Sequence, residues 1–544
     1  MHPNAHNEQW WRGAVIYQIY PRSFQDSNGD GIGDLPGITR RLPHVAALGA
    51  EAIWISPFFT SPMADFGYDV SDYCDVDPMF GTLADFDALI ARAHELGLKV
   101  LIDLVLSHTS DQHPWFKESR MSRDNARADW YVWADAKADG TPPSNWLSLF
   151  GGSAWQWDAR RQQYYLHNFL TSQPDLNFHC PAVQDALLDV ARFWLERGVD
   201  GFRLDTVNFY THDAQLRDNP PQPAGEFAAG VPRTNPYAFQ RHLYDKTRPE
   251  NLLFINRLRV LCDQFDERVT IGEIGDDRQY QTLRDYTRGD DRLHMAYVFT
   301  MLTEQCSPRY LHNVLDEYLR EAGDAYVCWS LSNHDVVRVA SRWAELGGSP
   351  AERARAFAAL LLSLPGAVCL YQGEELGLPE ADVPYELLQD PYGKVLWPEY
   401  KGRDGCRTPM PWHDEADGGF GSATPWLPVS AEQLPLAVNR QQDNVDSTLA
   451  FWRRFIAWRA GQPALRYGRL ELAEADDRLL SFTRQHNGNA VQCVFNLSAE
   501  PATLALPHGA ERLSGSGFDA ELAGTVLTLP AMSAAFLRLA TGEQ

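Results

Sequence analysis

Acidic side chains recur in this sequence where short apolar, β-branched runs come to an end. Asp103-Leu-Val-Leu-Ser leads to His108, Arg203-Leu-Asp205 ends another run, Glu273 ends a third, and Asn333-His-Asp carries His334 and Asp335. Arg203 and Asp205 are two residues apart, and the two-residue period of a β-strand turns both to one face as a salt-bridged pair. Retaining cleavage of a glycosidic bond needs two carboxyl groups about 5 to 5.5 Å apart. Asp205 with Glu273 on the next strand would supply them. A carboxylate beside a permanent cation has its pKa lowered and stays ionised, which suits Asp205 to be the nucleophile. Glu273 has no arginine in its own strand and is the better carboxyl to be held protonated and to donate to the leaving oxygen. Asp335 would hydrogen-bond sugar hydroxyls beside the anomeric carbon while charge develops, and His108 and His334 fit the same task from opposite sides.

A second constellation is Asp26-Ser-Asn28-Gly-Asp30-Gly-Ile32-Gly-Asp34. Oxygen side chains at alternate positions with glycine at the sixth reproduce the first part of a calcium loop, including a backbone carbonyl expected from Ile32. The twelfth position is Gly37 where a helix-loop-helix sensor needs Glu. The expectation is a structural Ca²⁺ or Mg²⁺ held by Asp26, Asn28, Asp30, Ile32 and Asp34; the alternative is a plain Asx-rich turn.

Groups so far apart in sequence meet only if the fold gathers them. Eight strand-like runs are present: Ala14 to Tyr20, Ala52 to Pro57, Lys99 to Leu106, Gly201 to Val207, Val269 to Ile274, Met295 to Met301, Ala325 to Leu331 and Ala367 to Tyr371. Helical periods separate several of them, such as Phe86, Leu89, Ile90, Ala93 and Leu96, closing at Gly97. Alternating strands and helices imply a parallel sheet, and with no Gly-rich phosphate turn after the first strand the fold class is α/β, a (β/α)8 TIM barrel. Catalytic groups of such a barrel sit at the C-terminal ends of the strands, where these acids fall. The barrel is expected over residues 1–107 and 178–469, with a long insertion after strand 8 at about 374–435. An irregular inserted domain, rich in Trp, Gly and Asp, is expected at 108–177 after strand 3, and a C-terminal all-β domain at 470–544.

The chain has 544 residues, 48 basic and 72 acidic, hence a net charge of −24. That balance repels phosphate backbones and anionic lipid, so neither nucleic acid nor membrane is an expected partner. The 8 cysteines form no C-x-x-C pair or metal-ligand spacing and read as reduced thiols. The first residues lack a basic-then-apolar leader and no run of 18 uncharged apolar residues occurs, so the expected location is cytoplasmic. The 17 tryptophans, with many Tyr and Phe, offer flat faces that suit sugar rings as well as cores.

The chain resembles glycoside hydrolase family 13, the α-amylase family, and within it the α-glucosidase and oligo-1,6-glucosidase branch. The resemblance rests on Ala14-Val-Ile-Tyr-Gln-Ile-Tyr-Pro-Arg-Ser-Phe24, Asp65-Phe-Gly-Tyr-Asp69, Asp103 to His108, Gln173-Pro-Asp-Leu-Asn177, Gly201 to Asp205, Gly272-Glu273, Asn333 to Asp335 and Arg407-Thr-Pro-Met-Pro-Trp412. It implies Asp205 as nucleophile, Glu273 as acid/base and Asp335 as transition-state stabiliser. It further implies that Asp65 and Arg407 grip the far hydroxyls of a terminal glucose, that Tyr68 stacks under its ring, and that His108, Phe169 and His334 line the pocket. Ser107 stands where the family usually has Asn, a residue that commonly binds calcium in secreted amylases, which leaves the Asp26 loop as the metal candidate. Thr206 stands where the related enzymes tend to have Val for α-1,6 and Ala or Thr for α-1,4 bonds. The implied substrates are maltose and short α-glucosides, with transfer to sugar or alcohol acceptors, by a monomer or homodimer. An oligo-1,6-glucosidase, a sucrose-cleaving enzyme and a barrel kept only as a binding module are the alternatives.

Overall fold

The computed structural model describes residues 9–228 and 230–539. Eight parallel strands form one sheet: β1 (Val15–Ile19), β2 (Ala52–Ile55), β3 (Lys99–Leu104), β4 (Gly201–Leu204), β5 (Val269–Ile274), β6 (Met295–Val298), β7 (Cys328–Ser330) and β8 (Ala367–Tyr371). They are ordered β6-β5-β4-β3-β2-β1-β8-β7. A parallel bridge between Ala296 and Val327 joins the two outer strands, with the Ala296 N–H donating to Tyr326 C=O at 3.3 Å. The sheet therefore closes on itself as a barrel.

The inward positions change character along each strand. Ile16, Leu101 and Ile271 belong to the apolar cluster that fills the barrel, with Ala52, Trp54, Met295 and Cys369. Two residues further on, the same face presents Gln18, Asp103 and Glu273, all buried. Apolar layers at the bottom exclude water and fix the strand ends, so the polar residues at the top stand on a rigid floor. Register makes them level: Arg203 pairs with Asp103 on β3 and Ile271 on β5, and Glu273 pairs with Tyr297 on β6.

The outer face of the barrel packs against helices whose sequence signals hold. In Leu83–Glu95, Thr82 and Asp85 form a reciprocal capping box, and Phe86, Leu89, Ile90 and Ala93 are buried. Gly97 follows with φ +77°, the left-handed residue a helix end favours.

Six of the eight strands are shorter than the expected runs, and only Val269–Ile274 and Ala367–Tyr371 match them. The largest differences are Gly201 to Val207, which stops at Leu204, Met295 to Met301, which stops at Val298 and continues as a 3-10 turn, and Ala325 to Leu331, which narrows to Cys328–Ser330. At the first two the chain leaves the sheet at the barrel mouth. The segment after β3, expected to be irregular, contains an antiparallel sheet of Trp133–Ala134, Gln163–Leu166 and Trp155–Asp158 over a small core of Val132, Trp146, Ala154, Trp155 and Leu166. Toward the C-terminus, strands between Arg469 and Arg538 form a five-stranded and a three-stranded antiparallel sheet. All eight cysteines are unpaired. Among the described residues no helix is long and apolar enough to cross a membrane.

Candidate active site

One guanidinium organises the strand ends. Arg203, fully buried on β4, donates through Nη1 to Asp103 Oδ1 at 2.8 Å and to Asp205 Oδ1 at 2.7 Å, and its Nη2 lies 2.7 Å from Glu273 Oε2. Its Nη2 also donates to the Tyr297 hydroxyl at 2.7 Å, which in turn donates to Glu273 Oε1 at 2.7 Å. The face of Trp54 lies 4.8 Å from the guanidinium carbon. Asp205 and Glu273 thus sit on adjacent nitrogens of one planar group, which brings the two carboxyls close together. Glu273 has little freedom, because the Thr206 N–H donates to Oε2 at 3.0 Å. A Cβ on Gly272 would come within 2.6 Å of Leu293 and 3.0 Å of Val207, so a larger residue before Glu273 would have to push the Leu293 side chain aside.

A second cluster faces the first from the loops after β2, β7 and β8. Asp335 Oδ1 accepts from Arg407 Nη2 at 2.8 Å and from Arg403 Nη1 at 3.2 Å. Arg403 also donates to Asp65 Oδ1 at 2.8 Å and grips Asp390 bidentately, at 2.8 and 3.0 Å. The partner of Asp65 is therefore Arg403, while Arg407 donates to Asp335 and to the His334 carbonyl at 2.7 Å. Asp335 keeps its side chain 26% exposed, the most open of the three proposed acids.

Aromatic and imidazole groups form the wall between the clusters. His334 stacks on Tyr68, with ring centres 5.4 Å apart and 3° between planes, and on Tyr20 at 5.6 Å. Gln18 donates to His334 Nδ1 at 2.7 Å, which leaves the proton on Nε2, 2.6 Å from the Tyr68 hydroxyl; that hydroxyl donates to Asp103 at 3.2 Å. Burial lowers His334 to about 3 and His108 to about 4, so both are neutral near pH 7. Phe169 packs on His108 at 5.2 Å.

The electrostatics correct the expectation that Arg203 lowers the pKa of Asp205. Burial is the largest influence and raises it well above the usual carboxylate range, helped by Glu273 and Asp103, with Arg203 opposing. Asp103 is raised by burial to about 6, again against Arg203. One cation is shared among three carboxylates, Glu273 included, so Arg203 cannot separate the roles of Asp205 and Glu273 as the sequence spacing suggested. Asp335 behaves oppositely. Burial would raise it, but His334, Arg403 and Arg407 hold it well below its ordinary value; with His334 neutral, the two arginines do this near pH 7.

The Asp26 segment is a ladder of Asx turns. Asp26 Oδ1 accepts from the Asn28 and Gly29 N–H groups at 3.1 and 2.6 Å, and its Oδ2 from Gly31 at 3.0 Å. Asn28 accepts from Asp30 N–H at 2.9 Å and Asp30 from Ile32 N–H at 2.9 Å. Asp34 caps the helix Leu35–Leu48 through the Gly37 N–H at 2.6 Å. Among the described residues no three His, Cys, Asp or Glu side chains are grouped to hold a metal. A cation here would depend on the remaining lone pairs of these oxygens, the Asn28 amide and the Ile32 carbonyl, a mixed oxygen set that suits a hard ion.

All eleven sequence-predicted catalytic and substrate residues converge on this mouth. Sequence reading missed Arg403, Asp390, Gln18 and Tyr297. Gln18 and Tyr297 are polar residues inside apolar strands, a signal in itself, and Arg403 lies four residues before Arg407 on the loop.

Residues 18–468 match the α-amylase catalytic domain family. The chain is 60% identical over 538 residues to a probable α-glucosidase of Rhizobium meliloti (strain 1021), covering 98% of each chain. It is 36% identical to an oligo-1,6-glucosidase of Heyndrickxia coagulans, covering 92% of this chain and 94% of the relative. The crystal structure of XgtA, an α-glucosyl transfer enzyme, superposes with a TM-score of 0.95 at 55% identity, covering 97% of this chain and 99% of XgtA. A closed eight-stranded barrel, two carboxyls on one arginine at its mouth and these likenesses have one reading: the chain belongs to the α-amylase family, glycoside hydrolase family 13, and is an enzyme of its α-glucosidase and oligo-1,6-glucosidase group.

Proposed function

We propose that the protein is a retaining α-glucosidase that releases or transfers the terminal α-1,4-linked glucose of maltose and short oligosaccharides. The observation that carries this is the placing of Asp205 and Glu273 on adjacent nitrogens of Arg203. Asp205 attacks the anomeric carbon while Glu273 gives its proton to the leaving oxygen; the carbon–oxygen bond to the leaving group breaks and a β-glucosyl ester forms on Asp205. Water or an alcohol then attacks the same carbon, Glu273 takes back its proton, and the Asp205 carboxylate is restored. Arg203 and Tyr297 keep both carboxyls oriented. Asp335 stays ionised and open to solvent, suited to binding hydroxyls beside the anomeric carbon. Asp65 is held by Arg403 behind it, and Arg407 holds Asp335. An acceptor other than water is favoured by the aromatic lining of Tyr68 and Phe169, and XgtA is by its name a transfer enzyme.

Azide tests the assignment with a substrate bearing an activated leaving group. Asp205→Gly is expected to give β-glucosyl azide by direct displacement, and Glu273→Ala the α product by way of the ester. The reverse pattern would exchange the two roles.

A structural Ca²⁺ or Mg²⁺ at the Asp26 loop is part of this reading, supported by the oxygen set and by Ile32. Such an ion stabilises only the folded state and supplies no catalytic group. Chelation should lower Tm while activity at low temperature survives; an Asp30→Ala protein with unchanged bound metal and unchanged Tm would leave only the Asx turns. Eight unpaired cysteines fit a reducing, cytoplasmic location.

A further inference from the structure

Thr206 is β-branched yet adopts φ 40° and ψ 47°, a left-handed conformation that costs such a residue free energy. The strain persists because the surrounding contacts fix it. Its N–H is spent on Glu273. Its hydroxyl has a single proton and two acceptors within reach, Asp205 Oδ2 at 3.3 Å and Ser107 Oγ at 3.1 Å. Asp205 Oδ1 belongs to Arg203, so Oδ2 is the oxygen free to react, and Thr206 is its hydrogen-bond donor among the described residues.

The direction of the hydrogen bonds beyond Ser107 follows from His108, where the Tyr68 carbonyl is the nearer partner of Nε2 and the Gln173 amide nitrogen, 3.2 Å from the same atom, has Asp65 Oδ2 as an acceptor at 3.2 Å. His108 Nε2 lies 3.0 Å from the Tyr68 carbonyl, which can only accept, so the ring proton is on Nε2 and Nδ1 is bare. Ser107 lies 2.8 Å from Nδ1 and must spend its own proton there. Its oxygen is then left as an acceptor pointing at Thr206. Ser107 is buried and lies three residues past the end of β3, while Asp205 directly follows the neighbouring β4.

We infer that Ser107 is a positioning residue that receives the Thr206 hydroxyl each time Asp205 becomes esterified, so that Thr206 switches one hydrogen bond between Asp205 and Ser107 in every catalytic cycle. While Asp205 is a carboxylate, its charge makes Oδ2 the stronger acceptor. When Oδ2 bonds to the anomeric carbon the negative charge is gone and an ester oxygen accepts weakly. The hydroxyl then turns to Ser107 instead of losing its bond. The reverse turn occurs as water or alcohol releases the sugar. No proton leaves Thr206 at any stage. This inference rests on Asp205 being the nucleophile.

A double-mutant cycle tests it, with 4-nitrophenyl α-glucoside as substrate and stopped-flow separation of ester formation from its breakdown. Ser107→Ala removes the parking acceptor, and ester formation is expected to slow about 3- to 10-fold with little change in KM, the size of one hydrogen bond. In a Thr206→Val background the same Ser107→Ala change should cost less than about 2-fold, and in a Thr206→Ser background the full effect should return. If Ser107 acts through His108 alone, the loss appears in KM and is equal in all three backgrounds, which overturns the proposal. Should Ser107→Ala not fold, Ser107→Gly removes the same oxygen and is read in the same cycle. Asp205→Asn is run alongside: near-native turnover there overturns the nucleophile assignment itself, whereas an inactive Asp205→Asn with additive Ser107 and Thr206 effects overturns only the switch.

Discussion

The two charged clusters at the barrel mouth use the same chemistry in opposite proportions. On the strand side, one guanidinium, Arg203, serves Asp103, Asp205 and Glu273. On the loop side, two guanidiniums, Arg403 and Arg407, serve Asp65, Asp335 and Asp390. Burial acts on both. With one cation among three acids it wins, and Asp205 and Asp103 are raised. With two cations it loses at Asp335 and at Asp390, which is held at about 2. Asp65 shares the loop cluster yet is raised by burial against Arg403, so proportion is not the whole account. Under the proposed mechanism the strand side holds the carboxyls whose charge changes during reaction, and the loop side, through Asp335 and Asp390, holds carboxylates that stay charged.

The sharpest way to break this division is to neutralise one acid on the strand side. Asp205→Asn should fold, since an amide still accepts from Arg203, yet lose kcat by roughly 10⁴-fold or more because no ester can form. Turnover near that of the wild type would end the assignment. On the loop side the effect should fall on binding. Arg403→Lys replaces a planar fork that meets three carboxylates by a point charge that cannot. KM for maltose is expected to rise roughly 10- to 100-fold, with kcat changed far less, and a loss confined to kcat would show that the loop cluster takes part in the chemical step.

How much of this was legible in the sequence follows the same boundary. The strand side was readable because side chains two apart on a strand share a face, so Arg203 and Asp205, then Glu273 on the adjacent run, could be placed together from spacing alone. On the loop side Asp335 and His334 were readable from the run that leads into them, Asp65 and Arg407 only through resemblance, and Asp390 and Arg403 not at all, because they lie on connections with no period and Arg403 comes to Asp65 from 338 residues away. The electrostatic reading failed for a related reason: spacing shows Arg203 beside Asp205 but not that Glu273 shares it, nor how far water is excluded.

Stability against pH distinguishes the clusters by sign. Asp390, at about 2 when folded, lies below its unfolded value of roughly 4, so its contribution is present above about pH 4 and is lost as pH falls through 2. Asp103, at about 6 when folded, lies above its unfolded value, so its contribution is full below about pH 4 and is lost as pH rises through 6. Thermal unfolding of Asp390→Asn should therefore show a flatter decline from pH 4 to 2, and of Asp103→Asn a flatter decline from pH 4 to 6. Each change is on the order of 1 to 3 kcal/mol across its window. Equal slopes in both variants would remove the electrostatic contrast.

The smallest expected effect concerns the residue where the two sides meet the acceptor sugar. Thr206 is half-buried, and its left-handed backbone turns its side chain out of the strand alternation, back toward Asp205. Its oxygen can accept one further hydrogen bond from a hydroxyl of the leaving or incoming sugar, which Val cannot do. One such bond is worth about 0.5 to 1.5 kcal/mol, a tenfold difference in rate at most. Loss of the donor to Asp205 slows every substrate alike, so the linkage effect lies in the ratio between substrates and not in either rate. The wild type should have a higher kcat/KM for maltose than for isomaltose, and Thr206→Val should lower both while bringing the ratio closer to one. A wild type that already prefers isomaltose would assign the protein to α-1,6 bonds, and the strand-end hydroxyl would then serve Asp205 alone.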